Sequence, residues 1–194
     1  MHTIYKGNKV EHKLALIGSG NAFFKDEGVG LYAVKYIKEN YNFTPEIEIV
    51  DGGTLGFKLM PLLQEHEVVL IVNTASDESK TFGEVSVKDC DTFLDGALIK
   101  KTANEVEIAE MLQICSLAEQ MAETTVISIA PEDIISVEVG LTDSIQIAWS
   151  HYIEQVLTLI QSYDIKVEKR SKGMSLDEIL FTFANPSIEH NRGF

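Results

Sequence analysis

Leu14-Ala15-Leu16-Ile17-Gly18-Ser19-Gly20-Asn21 is the stretch on which the fold turns. Four apolar residues stopped by Gly-Ser-Gly read as a buried strand that ends in a tight loop. Just downstream, Val29, Ala33, Tyr36 and Ile37 recur at helical spacing, with Asn40 as a stop. Ile47-Glu48-Ile49-Val50 gives a second strand, closed by Asp51-Gly52-Gly53. Strand, helix, strand in this rhythm predicts a βαβ unit with parallel strands.

Outward from that unit the pattern continues. A short helix carries Leu55, Leu59, Leu62 and Leu63, and Val68 to Val72 is apolar throughout, as expected of a parallel strand covered on both faces. Glu84-Val85-Ser86-Val87 reads as an edge strand, and Ile108, Met111, Leu112, Cys115 and Ala118 as an amphipathic helix. Thr124 to Ile129 is the last central strand. The longest helix runs from about Thr142 to Tyr163, capped by Thr142 or Asp143. Ser175-Leu176-Asp177-Glu178 has capping-box spacing ahead of a short apolar helix. The expected fold class is α/β, a three-layer α/β/α arrangement around a twisted, mostly parallel sheet of about five strands. Residues 1–169 are expected to form one α/β domain. Residues 170–194 are expected to be a C-terminal extension with a short helix rather than a separate domain.

Composition narrows the function classes. The chain has 194 residues, 45% hydrophobic and 24% charged, ordinary values for a globular domain with a real core. No apolar run approaches the ~20 residues needed to span a bilayer, and Met1 to Lys6 lacks a secretory signal. Cys90 and Cys115 stand far apart, which fits reduced thiols. These features predict a soluble cytoplasmic protein. The net charge of −14 disfavours nucleic acid and anionic membrane as partners, and suits a basic peptide, a metal cation or a basic protein face.

Gly18-x-Gly20 after a strand first suggests a dinucleotide site. That site needs a third glycine three residues after Gly20, and Phe23 stands there, so no nucleotide is expected. The ordered set is more specific: Gly18-Ser19-Gly20-Asn21, then Asp26-Glu27-Gly28-Val29-Gly30 before a helix, then Asp51-Gly52-Gly53-Thr54-Leu55-Gly56 after the next strand. From about Leu14 to Ile165 the chain resembles the hydrogenase maturation endopeptidases, with Gly83 and Ile129-Ala130-Pro131 in fitting places. The resemblance implies an endopeptidase that acts on the large-subunit precursor of a nickel-iron hydrogenase, removing its C-terminal extension after nickel insertion. The nickel is carried by the substrate and read by three side chains.

The Glu of that set maps onto Glu27, the Asp position onto Asn73 and the His position onto Asn104, so two of the three implied ligands are asparagines here. A neutral amide oxygen is a poor nickel donor beside imidazole or carboxylate. Asn21, Asp51, Gly52 and Gly53 form the expected substrate-binding loops, beyond the carboxyl ends of the strands. No catalytic group is assigned. Three readings stay open: an active peptidase in which Asp26, Asp51, Asp77, Glu105 or Glu107 supplies oxygens, a non-catalytic paralogue that binds a hydrogenase subunit as an assembly factor, and a nucleotide or small-molecule binder. Each residue also has a structural reading: Glu27 as a first-turn acid, Asp51 and Asn73 as turn residues, Asn104 as a helix cap. None of the five histidines replaces the missing ligand: His2 and His12 precede the fold, His66 lies in a loop, His151 in the long helix and His190 in the tail.

Overall fold

The structure, a computed structural model, describes residues 14–54, 56–77, 79–95, 103–117 and 121–186, with Ala103 and Asn104 given as backbone alone. Leu55, Ala118, His2, His12 and His190 lie outside these residues.

Five strands form the central sheet: β1 (Leu14–Ser19), β3 (Glu48–Gly53), β4 (Val68–Thr74), β5 (Val85–Asp89) and β6 (Glu123–Ile129), in the order β3-β1-β4-β6-β5. β1 pairs in parallel with both β3 and β4, and β4 with β6, while β5 runs antiparallel at the edge. Every residue of β1 and β4 is buried, as the apolar runs within them, residues 14–17 and 68–72, require. Alternation along β4 divides the core. Val68, Leu70 and Val72 pack with α1 (Val29–Asn40) and α5 (Asp143–Gln161). Val69 and Ile71 pack with Leu63 of α2 (Met60–Glu65), Phe93 of α3 (Cys90–Asp95), and Ile108, Met111 and Leu112 of α4 (Ala103–Ser116). The layers are therefore helix, sheet, helix.

Three elements lie outside the expected set. β2 (Tyr41–Thr44) and β7 (Lys166–Lys169) pair antiparallel as a small separate ribbon. α3 follows directly on β5. The helix α6 (Leu176–Ala184) carries both halves of the capping box between Ser175 and Glu178. Its Ile179 is fully buried in the main core, and Phe183 meets the Tyr32 ring edge-on with centroids 5.0 Å apart. Thr142 precedes α5, but its hydroxyl is not a cap: it donates to Asp26 instead.

The strand order fixes where a ligand can sit. From β1 the chain crosses to β3 on one side, and the next strand, β4, lies on the other side of β1. The order reverses between β1 and β4, and the crevice beyond their carboxyl ends is the topological switch point of the sheet.

Candidate functional site

Three segments meet at that crevice. The first leaves β1 through Gly20, whose φ of +149° suits glycine and whose α-carbon lies against the Glu27 carbonyl, so that a methyl there would overlap it. Asn21 N–H donates to the same carbonyl at 3.2 Å, and Asn21 Oδ1 accepts Phe23 N–H at 3.0 Å. A short 3-10 turn, Lys25–Gly28, then delivers two adjacent acids into opposite settings.

Asp26 is fully buried and spent on structure. Its Oδ2 accepts the N–H groups of Glu132 and Asp133 at 3.0 and 2.9 Å and the Thr142 hydroxyl at 2.9 Å, and its Oδ1 accepts Thr142 N–H at 2.7 Å. It stitches the 132–142 loop to the 3-10 turn, and so has no oxygen to lend to a metal. Glu27 is half-buried beside β4. Its pKa is raised, first by burial and then by the Glu105 carboxylate.

The second segment is the end of β4. Asn73 belongs to the strand itself rather than to a turn. It is fully buried, and its Oδ1 accepts the Ser128 hydroxyl of β6 at 2.7 Å. Asn73 Nδ2 and the neighbouring Thr74 Oγ1 are buried with no hydrogen-bond partner among the described residues. Two such atoms in succession at a strand end need an explanation, since nearly all buried polar groups are paired.

The third segment is the first turn of α4. Asn104 lies inside that turn, after Ala103, and so does not occupy the position before the helix that a cap requires. Next to it, Glu105 is buried, and its Oε2 accepts Ser76 N–H at 3.0 Å, joining α4 to the loop that leaves β4.

The loops expected to bind substrate gather on the β3 side. Gly20 N–H donates to the Gly53 carbonyl at 3.0 Å, and Gly52 packs against the Gly18 carbonyl. Asp51, near the end of β3, is exposed at the crevice rim, and its Oδ1 accepts Gly53 N–H at 3.1 Å. Beside it opens a groove of about 400 Å³ lined by Ala22, Phe23, Val34, Ile49 and Phe183.

The remaining acids named from the sequence lie elsewhere or are engaged. Asp77 accepts from the backbone and hydroxyl of Ser79, and Glu107 packs on Gly56. His66 pairs with Glu48 at the opposite end of the sheet, and His151 is exposed on α5. Among the described residues no three His, Cys, Asp or Glu side chains converge as a metal site. Ser128 escaped the sequence reading, although a lone serine inside the apolar run Val126-Ile127-Ser128-Ile129 marks a polar partner in a buried strand. The glycine loop opens into a 3-10 turn, Lys25–Gly28, before α1 begins at Val29.

Comparison with known proteins agrees with this geometry. The model of the family described as Hydrogenase maturation protease matches residues 31–159, about two thirds of the chain. The chain is 26% identical over 170 residues to the hydrogenase expression/formation protein HupD of Rhizobium leguminosarum, covering 87% of this chain and 84% of that protein. It is 20% identical over 159 residues to the hydrogenase 2 maturation protease of Escherichia coli, covering 81% of this chain and 96% of that protein. The hydrogenase maturating endopeptidase HybD of Escherichia coli has a similar fold, with a TM-score of 0.76 at 21% identity, over 82% of this chain and 98% of that one.

Proposed function

This chain belongs to the hydrogenase maturation protease family, and from that premise we propose that it removes the C-terminal extension of a nickel-iron hydrogenase large-subunit precursor. The carrying observation is the meeting of Glu27, the end of β4 and the first turn of α4 at the switch point of the sheet. A crevice there admits an extended tail from another protein, with Glu27 facing the nickel that the tail's parent subunit carries.

The rim suits a protein partner. Phe23, Ile135 and Val137 are 65%, 82% and 78% exposed, and Glu138 N–H donates to the Phe23 carbonyl at 3.0 Å, which brings the two loops together beside the crevice. Exposed apolar side chains grouped around a polar cleft mark a docking surface. The loops of Asn21, Asp51, Gly52 and Gly53 border the adjoining groove, where an extended peptide lies along the sheet end.

The asparagine at 73 favours a second reading, in which the protein holds the precursor without cutting it. Its amide already accepts from Ser128, and it brings no charge to a cation. Gel filtration of the full chain with precursor and with trimmed large subunit tests the shared part of both readings. Co-elution with the precursor and not with the trimmed form is expected. Equal indifference to both removes the hydrogenase substrate.

A further inference from the structure

Replacing an aspartate and a histidine by two amides leaves Glu27 as the sole acid among the three implied metal-reading positions. The structure places a second carboxylate in the same crevice. Glu105 is buried to 2% exposure one residue beyond Asn104 and held there by Ser76 N–H. Residues 69 and 71 of β4 face the core that α4 shares, so by strand alternation Asn73 also faces α4, whose first turn carries Glu105. Glu27 sits on the 3-10 turn that packs against β4.

The polar atoms at this strand end fit a cation. Asn73 presents one buried amide end to Ser128, while the other has no partner among the described residues. A serine hydroxyl both donates and accepts, so a turn of the amide lets Nδ2 donate to Ser128 Oγ and frees Oδ1 for the crevice. Carboxylate and amide oxygens are donors that hard divalent cations accept readily and that nickel accepts less well than imidazole.

Resting on the family reading above, we infer that Glu105 is a metal-binding residue of this chain, meeting the substrate's divalent cation together with the Glu27 carboxylate and the Asn73 amide oxygen. The all-oxygen set then takes the place of a set containing aspartate and histidine. It lowers the advantage of nickel over manganese, because no nitrogen donor remains.

Isothermal titration of the purified full chain with nickel chloride and, separately, manganese chloride tests this without any hydrogenase subunit. One saturable site is expected for each metal. Glu105→Gln, which keeps an oxygen for Ser76 N–H, is expected to weaken binding at least about tenfold, while Glu107→Gln leaves it unchanged. Asn73→Asp is expected to tighten binding of both metals, and Asn104→His to favour nickel over manganese. Absence of saturable binding by the natural chain overturns the inference, as does wild-type affinity in Glu105→Gln. Should Glu105→Gln fail to fold, an Asn73→Asp affinity equal to that of the natural chain overturns it instead. Failure here leaves the precursor-binding result standing, and loss of precursor binding leaves the titration standing.

Discussion

Ser128 donates its hydroxyl to Asn73 Oδ1 at 2.7 Å, across the β4–β6 ladder and out of reach of water. This bond fixes the side chain at the end of the strand where a ligand would sit. Ser128→Ala removes it and leaves the Asn73 amide with no partner at either end among the described residues. An unfolding free energy lower by about 1–3 kcal/mol is expected, measured by urea titration followed by circular dichroism. A change within error would show that the amide finds other partners.

Asp26 and Glu27 are adjacent acids with opposite duties. Asp26 accepts four hydrogen bonds that hold the 132–142 loop, so Asp26→Ala is expected to cost at least about 3 kcal/mol by the same measurement. Asp51→Ala loses an exposed bond to Gly53 N–H and is expected to cost under about 1 kcal/mol. Equal costs would mean that Asp26 is not the anchor its contacts describe.

Glu27 works against the stability of the free protein. Burial and Glu105 raise its folded pKa above the unfolded value, so the fold favours the protonated acid. Its contribution is most favourable below the unfolded pKa and is lost as pH rises through the folded pKa. Glu27→Gln, a neutral isostere, is therefore expected to raise the melting temperature at pH 7 and to change it little below the ordinary glutamate range. A lower melting temperature at pH 7 would reverse this sign.

The C-terminal helix is tied to the core by Ile179. Ile179→Ala is expected to cost about 2–5 kcal/mol, and Ser175→Ala, which removes half of the capping box, about 1 kcal/mol. Both are read from urea midpoints. A negligible effect at Ile179 would mean that α6 adds nothing to the body.

Much of this was legible because residues 14–17 and 68–72 are apolar without interruption and because turns with positive φ, as at Gly20 and Gly53, call for glycine. α1 and the edge position of β5 followed from spacing alone. The β2–β7 ribbon was not legible, since Tyr41–Thr44 and Lys166–Lys169 are short, half-polar and far apart in sequence, the nearest pair being Thr44 with Lys166. Their pairing depends on where α1 and α5 end. In the site, Glu27 and the loops were marked by motif. The different fates of Asp26 and Glu27 were not, because adjacent acids look alike until a distant loop folds onto one of them. Glu105 stood as one acid among five until the packing of α4 on β4 singled it out. Asn104 reads as a cap by residue type, but the helix has already begun at Ala103.

The central claim is that Glu27 reads a nickel-bearing precursor whose tail this protein cuts. Its most direct test is the intact mass of a nickel-loaded large-subunit precursor after incubation with the natural chain and with Glu27→Gln. Loss of the C-terminal extension with the natural chain, and an unchanged mass with Glu27→Gln, is the predicted result. An unchanged precursor with both proteins, or equal trimming by both, would contradict the account.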